Sequence, residues 1–428
     1  MKATIVNIGD ELLIGQVVNT NATQMAHLLV GAGIAVGATE VIGDNQHDIT
    51  DCLARALQSS QIVLITGGLG PTKDDITKKT LCQFFHSELY ENPEALANIQ
   101  RIFTARGYEL TPVNRQQAWV PRCCTMINNI LGTAPCMWFE VPSRLPGQPP
   151  SVVVSLPGVP FEMLNLMETE IVPRLQRHFR TGQILTKNLL VQGIGESFLS
   201  DLIEPWELSL PPNLHLAYLP QAGMLKLRLT AQGGHDQRPM LQQQIDDAVK
   251  ALYPLAGQYI VGEDLETLPQ LVAQTMKQRR LTLATAESCT GGTLAAQLTA
   301  MPGASEYYLG GIVAYSNQTK ESTLGVSHET LQAHGAVSQE TVIQMAEGAR
   351  QRLQADYAVA TTGVAGPGGG TPQKPVGTVW IAVSSDAGTT AKLLKFGDRR
   401  AQTVERACNA VWSELIHKIN RETNIPQS

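Results

Sequence analysis

No stretch of this chain stays apolar for anything near the ~18 residues of a membrane-spanning helix, so a helical membrane protein is not expected. The opening Met1-Lys-Ala-Thr-Ile-Val-Asn-Ile-Gly9 turns polar too soon for a secretory signal. Basic runs are missing too. Lys and Arg total 32 against 38 Asp and Glu, a net charge of −6, and no basic stripe is interleaved with aromatics. Nucleic-acid binding, which runs on clustered positive charge, is therefore not expected. The cysteines stand at 52, 82, 123, 124, 136, 289 and 408, forming neither a Cys-x-x-Cys pair nor an even set. That speaks against a disulfide framework and for a reducing cytoplasm. Internal repeats and low-complexity tracts are also absent.

What is present is the composition of a folded protein: 43% hydrophobic and 16% charged over 428 residues. That length exceeds one ordinary core, and two or three domains are expected. Strand and helix patterns alternate over residues 1–172, which argues for an α/β sandwich. Thr4–Ile8, Ala35–Ile42 and Ile62–Thr66 read as strands, Ile49–Leu57 as a helix, and a further helix starts near Asp74. Later strands fall at 126–128, 137–141 and 152–156, an exposed loop at 143–150, and a helix at 161–179. Residues 180–255 read as a small α+β unit suited to bridging or dimerisation. Alternation resumes over 260–420, a second α/β domain.

The run Ala286-Glu-Ser-Cys-Thr-Gly-Gly292 follows a short apolar strand and opens an apolar helix. It sets a hydroxyl and a thiol at a helix N-terminus, whose unpaired N–H groups and partial positive charge suit a nucleophile, an oxyanion or a phosphate. Ser288 reads equally as that helix's cap. Cys289 competes as nucleophile, although its side chain points away from that of Ser288. No histidine stands near enough in sequence to suggest a Ser-His-Asp triad, and a lysine or tyrosine is the alternative base. Tyr315 and Lys320 lie just past the next strand; alone, Lys320 reads as a surface lysine. The turn at 361–370 supplies Gly363, Gly366 and Gly368–Gly370, read either as a close backbone approach to a ligand or as a flexible loop. All three turns follow strands, the ligand side of an open α/β sheet.

These motifs, with His334-Gly-Ala-Val-Ser338, Thr362-Gly-Val-Ala-Gly-Pro367 and Lys374-Pro-Val-Gly-Thr-Val-Trp380, resemble the C-terminal domain of the CinA family. The resemblance implies a nicotinamide-nucleotide amidohydrolase that converts nicotinamide mononucleotide to nicotinate mononucleotide and ammonia, with no cofactor. It implies Ser288 as nucleophile, Tyr315 and Lys320 as base and proton-transfer partners, and Thr290, Gly291, Gly292, Thr362, Gly363, Gly366 and Arg399 at the substrate. A second family arginine is replaced by Thr403.

In the first half, Gly67-Gly-Leu-Gly-Pro-Thr-Lys-Asp-Asp75 lies between a buried strand and a helix. Its glycines free backbone N–H groups for phosphate, and Thr72 and Asp75 have the spacing of a capping box. Adjacent carboxylates at a phosphate site commonly recruit a divalent metal; a capped helix with an acidic first turn is the competing reading. Gly9-Asp10-Glu11 with Asn21, and Gly43-Asp44-Asn45, end the first two strands. With Asn129-x-x-Gly132-Thr-Ala-Pro135 and Leu156-Pro-Gly-Val-Pro160-x-Glu162, this half resembles the MoaB/MogA-like domain of CinA proteins. Cys136 stands where the family usually has glycine.

That resemblance implies an αβα fold and metal-dependent ADP-ribose pyrophosphatase activity giving AMP and ribose 5-phosphate. Gly9, Asp10, Glu11, Asn21, Gly67, Gly68, Gly70, Thr72 and Asp74 would meet the nucleotide, and Asp44 and Asp75 a divalent ion such as Mg2+. A homodimer is implied as well. Two other readings stay open: a nucleotide sensor without turnover, and a molybdopterin-binding protein.

Overall fold

The computed structural model describes residues 1–72, 75–142, 149–221, 223–265 and 267–422. The chain divides into two compact units. One comprises residues 1–186, 211–214 and 230–246; the other comprises 187–210, 215–229 and 247–428.

In the first unit, β1 (Lys2–Ile8), β2 (Ala35–Ile42) and β3 (Ile62–Thr66) come first in the chain. A small ribbon of β4 (Leu89–Glu91) and β5 (Trp119–Pro121) follows, then β6 (Thr125–Ile127), β7 (Cys136–Val141) and β8 (Ser151–Leu156). The six-stranded sheet runs β2-β1-β3-β8-β7-β6, parallel from β2 to β8 and antiparallel beyond. All five residues of Ile62–Thr66 are buried, as the unbroken β-branched and leucine run requires of a central strand. Ile5, Ile62 and Leu64 face a core with Met25 and Leu29 of the helix Thr20–Gly31. Val6, Val63 and Ile65 face the opposite core, with Ile49, Leu53 and Ala56 of the helix Gln46–Ser59. Each such large apolar side chain contributes about 1.5–3 kcal/mol when fully buried.

The helices after β1 and β2 cover opposite faces and the strand order turns back at β1, so the carboxyl ends of β1 and β3 open a crevice there. The helix expected near Asp74 begins at Thr77, and Asp74 itself lies outside the described residues. So does most of the loop expected at 143–150. Cys136 starts β7 and is fully buried, a core residue rather than part of a turn.

Residues 183–263 form the small α+β domain. Its four-stranded sheet is β10-β11-β9-β12, from β9 (Gln183–Val191), β10 (Leu214–Gln221), β11 (Met224–Gly233) and β12 (Ile260–Glu263), accompanied by helices Glu196–Leu208 and Arg238–Ala256.

The C-terminal sheet is β14-β13-β15-β16-β17, from β13 (Leu283–Glu287), β14 (Tyr308–Val313), β15 (Tyr357–Gly363), β16 (Thr378–Ser385) and β17 (Gly388–Lys395). β13 is parallel to both neighbours, so the turns after β13, β14 and β15 emerge at one edge. The faces differ in side-chain size. Leu283, Val359 and Ile381 meet the helices Leu268–Arg279 and Arg400–Glu422. Ala284, Ala286, Ala358 and Ala360 meet Gln339–Leu353, and these short side chains let that helix sit close to the sheet.

Candidate functional site

Strand alternation decides what the β13–helix turn presents. Ala284 and Ala286 face the alanine side, and Ser288 continues that row. Cys289 faces the other way and packs with Leu294 and Val411. Burial pushes the Cys289 thiol up to about 11, which keeps it protonated near neutrality and makes it a poor nucleophile.

Lys320 Nζ donates to Ser288 Oγ at 3.0 Å and to Ala314 O at 2.7 Å. The lysine is carried by the helix Asn317–Leu324, whose N-terminus is capped by Ser316 Oγ accepting from Thr319 N at 3.1 Å. Its side chain is 1% exposed. Burial pushes its ammonium below the ordinary lysine range. A serine hydroxyl and a lysine held in the low-pKa direction are thus in direct contact.

The helix start is not open in the way the sequence suggests. Glu287, 1% exposed, accepts from Gly292 N and Leu294 N at 3.0 Å, Ala295 N at 2.9 Å and Thr290 Oγ1 at 2.7 Å. The carboxylate therefore takes the first-turn donors and compensates the helix dipole from within the protein. Gly291 and Gly292, at φ 62° and 101°, let the chain fold back over it. Thr290 Oγ1 also lies 2.8 Å from Thr361 Oγ1, so this side chain is tied into the turn.

Of the other expected residues, Tyr315 is 64% exposed and its hydroxyl accepts from Arg400 Nη2 at 3.3 Å. Arg400 Nη1 donates to Gly366 O at 3.0 Å. The guanidinium against the glycine loop belongs to Arg400, and both Arg399 and Arg400 are exposed. Thr403 is buried and donates to Gly397 O at 3.1 Å. Thr362 Oγ1 donates to Ala336 O at 2.7 Å. A Cβ on Gly363 would stand 2.7 Å from Thr378 O, so close backbone packing already requires glycine there.

In the first unit, the crevice between β1 and β3 is a cleft of about 320 Å³. It brings together Gly9, Glu11, Asn21, Asp44, Gly67, Gly68 and Asp75. Asp10 N donates to Asp44 Oδ2 at 3.0 Å, and Asp44 N to Asp10 Oδ1 at 3.3 Å, a reciprocal clasp between the first two strand ends. Gly67 and Gly68 have φ of 112° and 64°. A Cβ on Gly67 would strike Ile8 O at 2.2 Å, and one on Gly68 would strike Thr77 Oγ1 at 2.1 Å.

Thr72 donates to Asp75 Oδ2 through its N–H (2.8 Å) and its hydroxyl, so the carboxylate closes this turn instead of Thr72 capping the helix. Gly70 and Thr72 line a neighbouring cavity of about 240 Å³, which also includes Asp75 and Lys78. Burial pushes Lys78 down to about 8, and its Nζ donates to Gln117 O at 2.9 Å. The Asn129 motif is structural: Asn129 Nδ2 donates to Glu162 Oε2 at 2.7 Å and to Ala134 O at 3.0 Å.

Among the described residues no three His, Cys, Asp or Glu side chains group as a ready-made metal site. Asp44 and Asp75 nevertheless share one cleft, and hard oxygen donors with the remaining positions left to water and phosphate match what Mg2+ commonly takes. Glu287, Arg400 and Lys78 are not marked as site residues by the sequence. Only for Glu287 is a signal available, an acid placed just before a strand-to-helix turn.

Among the described residues no helix is long and apolar enough to cross a membrane. Three family models match: "CinA C-terminal domain" over residues 265–419, "Probable molybdopterin binding domain" over 4–177, and "Damage-inducible protein CinA KH domain" over 186–262. A CinA-like protein of Cytophaga hutchinsonii is 42% identical over 409 residues, covering 96% of each chain. One of Chloroherpeton thalassium is 42% identical over 424 residues, covering 98% of this chain and 100% of its own. A crystal structure of a competence/damage inducible protein from Agrobacterium tumefaciens is 40% identical, covering 35% of this chain and 92% of that one, with a TM-score of 0.35. With an N-terminal αβα domain, a small α+β middle domain and a C-terminal α/β domain, and with relatives this similar over almost its whole length, the chain belongs to the CinA family.

Proposed function

We propose that the C-terminal domain deamidates nicotinamide mononucleotide with Ser288 as nucleophile, and that the N-terminal domain hydrolyses ADP-ribose with a divalent metal. Family membership supports a hydrolase or nucleotide-handling role in general terms; the specific chemistry rests on the residues. The observation that carries the first part is the 3.0 Å contact between Lys320 Nζ and Ser288 Oγ.

In the proposed reaction, neutral Lys320 takes the hydroxyl proton as Ser288 Oγ attacks the carboxamide carbon. It returns the proton to the departing ammonia, and water then cleaves the acyl ester to nicotinate mononucleotide. Glu287 already occupies the N–H groups of Gly292, Leu294 and Ala295. The oxyanion is therefore assigned to the peptide N–H groups of Cys289–Thr290 or of the Thr362–Gly363 turn, where one donor is worth about 3–4 kcal/mol. Tyr315 and Arg400 form the polar margin of the site, with Arg399 next to Arg400 in the chain. Ammonia release from nicotinamide mononucleotide tests the assignment: Ser288→Ala abolishes it with the fold intact, and a near-wild-type rate transfers the role elsewhere.

For the N-terminal domain, the glycine turn 67–70 meets the diphosphate through its backbone. Asp44 and Asp75 would hold the metal, which would offset the diphosphate charge and polarise a phosphoryl oxygen. A pterin ligand is the second reading, favoured by the description of the family model over residues 4–177. Pterin fluorescence co-purifying with the protein supports it. A cytoplasmic homodimer is part of the same proposal, tested by light scattering on the purified chain.

A further inference from the structure

Cys82, Cys123 and Cys124 take no part in either proposed reaction, yet the fold gathers them beside the small β4–β5 ribbon. Cys82 lies on the helix Thr77–Phe84 and is buried, and Cys124 is half-buried. Among the described residues Cys123 is the exposed cysteine. The antiparallel pairing of β4 with β5 sets their placement. Tyr90 pairs with Val120 and Leu89 with Pro121, and Arg122 N donates to Glu88 O at 2.9 Å. The same register puts Cys123 opposite Ser87, and Cys123 N donates to Ser87 Oγ at 3.2 Å.

Ser87 also holds Cys82. Its N–H donates to Cys82 O at 2.9 Å, and Cys82 Sγ donates to Ser87 O at 2.9 Å. One serine is therefore in hydrogen-bond contact with both cysteines. The two thiols also feel each other: burial raises the pKa of Cys82, and the charge of Cys123 adds to the effect. Cys124 is pushed up to about 12, by burial first and by Cys123 next, which keeps it protonated and slow to react. A bond between Cys123 and Cys124 is disfavoured by geometry. Adjacent Cα atoms stand ~3.8 Å apart, short of the ~4.4–6.8 Å that disulfides usually span.

We propose that Cys123 and Cys82 are a thiol pair that hydrogen peroxide oxidises to a reversible disulfide. The exposed Cys123 sulfur attacks one peroxide oxygen. An S–O bond forms, the O–O bond breaks, and the other oxygen leaves as water with the Cys123 proton. Cys123 is then a sulfenic acid. The Cys82 sulfur attacks it, an S–S bond forms, and the hydroxyl leaves as water with the Cys82 proton. Two thiols lose two electrons, and one peroxide becomes two waters. The bond ties the end of the helix Thr77–Phe84 to the turn between β5 and β6, closing a loop of about 40 residues. In a reducing compartment such a bond is transient and records exposure to oxidant.

Peptide mass mapping of the full chain, reduced, treated with hydrogen peroxide and then alkylated, tests it. Wild type loses the Cys82 and Cys123 thiols and yields one peptide pair joined through them, which dithiothreitol separates. Its urea midpoint rises on oxidation, because the bond restricts the unfolded chain. Cys123→Ser, a change at an exposed position that leaves the core untouched, forms no cross-link, slows loss of the Cys82 thiol about tenfold and shows no rise in midpoint. Cys82→Ala stops at the sulfenic acid, which dimedone traps on Cys123. A link from Cys124 to either partner, a link between Cys123 residues of two chains, or retention of both thiols under peroxide overturns the proposal.

Discussion

Ser288 Oγ and Lys320 Nζ, 32 residues apart in the chain, are 3.0 Å apart in the fold. Parallel pairing of β13 with β14 makes this possible, because it brings the turns after both strands to one edge of the sheet. Among the described residues the hydrogen-bond partners of the lysine are the serine hydroxyl and the Ala314 carbonyl, with no carboxylate. A buried ammonium in such surroundings favours its neutral form.

The first prediction concerns pH. Burial lowers the Lys320 pKa, and the base form is the neutral amine. Deamidation kcat/KM therefore rises with pH through a limb lying below the ~10.4 of an ordinary lysine. Lys320→Met removes the limb and lowers kcat about 10²–10⁴-fold. The stability sign is the same. Between the lowered folded value and the ordinary unfolded one, the unfolded chain binds more protons, so Lys320 makes stability rise with pH in that window. Denaturant melts of wild type and Lys320→Met at several pH values check this; parallel pH profiles contradict it.

Glu287 offers a test of the turn itself. Replacing the carboxylate by Gln faces an NH2 group towards donors that all need an acceptor. Loss of charge-assisted bonds at a buried site costs about 1.5–3 kcal/mol each. Glu287→Gln should lower unfolding stability by roughly 2–3 kcal/mol on that scale, measured by urea melts, and lower kcat as the Ser288 turn loosens. An unchanged melt would show the four bonds to be dispensable.

Metal removal should separate the domains. With chelator present, AMP formation from ADP-ribose stops while ammonia release from nicotinamide mononucleotide continues. Asp75→Asn reproduces the first effect without chelator. Chelator-sensitive ammonia release would place a metal at the wrong site.

Much of the layering is legible in the sequence because its strands are short apolar runs ended by glycine, as at Ile62–Thr66 before Gly67. The β4–β5 ribbon is not, since each strand has only three residues and too few positions for a period to register. The helix before Phe85 starts at Thr77, after a turn in which Asp75 accepts from Thr72, and that side-chain contact does not show in the acidic spacing. Ser288, Tyr315 and Lys320 stand out as candidates by their places at strand ends, while the roles given to them come from family motifs. That Arg400 donates to Gly366 O is a tertiary fact, set by which face of the helix Arg400–Glu422 meets the glycine loop, and neighbouring arginines do not encode it.

The most direct measurement is peptide mass mapping of enzyme quenched during turnover of nicotinamide mononucleotide. The predicted result is a nicotinate-mononucleotide ester on Ser288, absent from Ser288→Ala and retained in Cys289→Ala. An adduct on Cys289, or full ammonia release by Ser288→Ala with no ester at all, would contradict it.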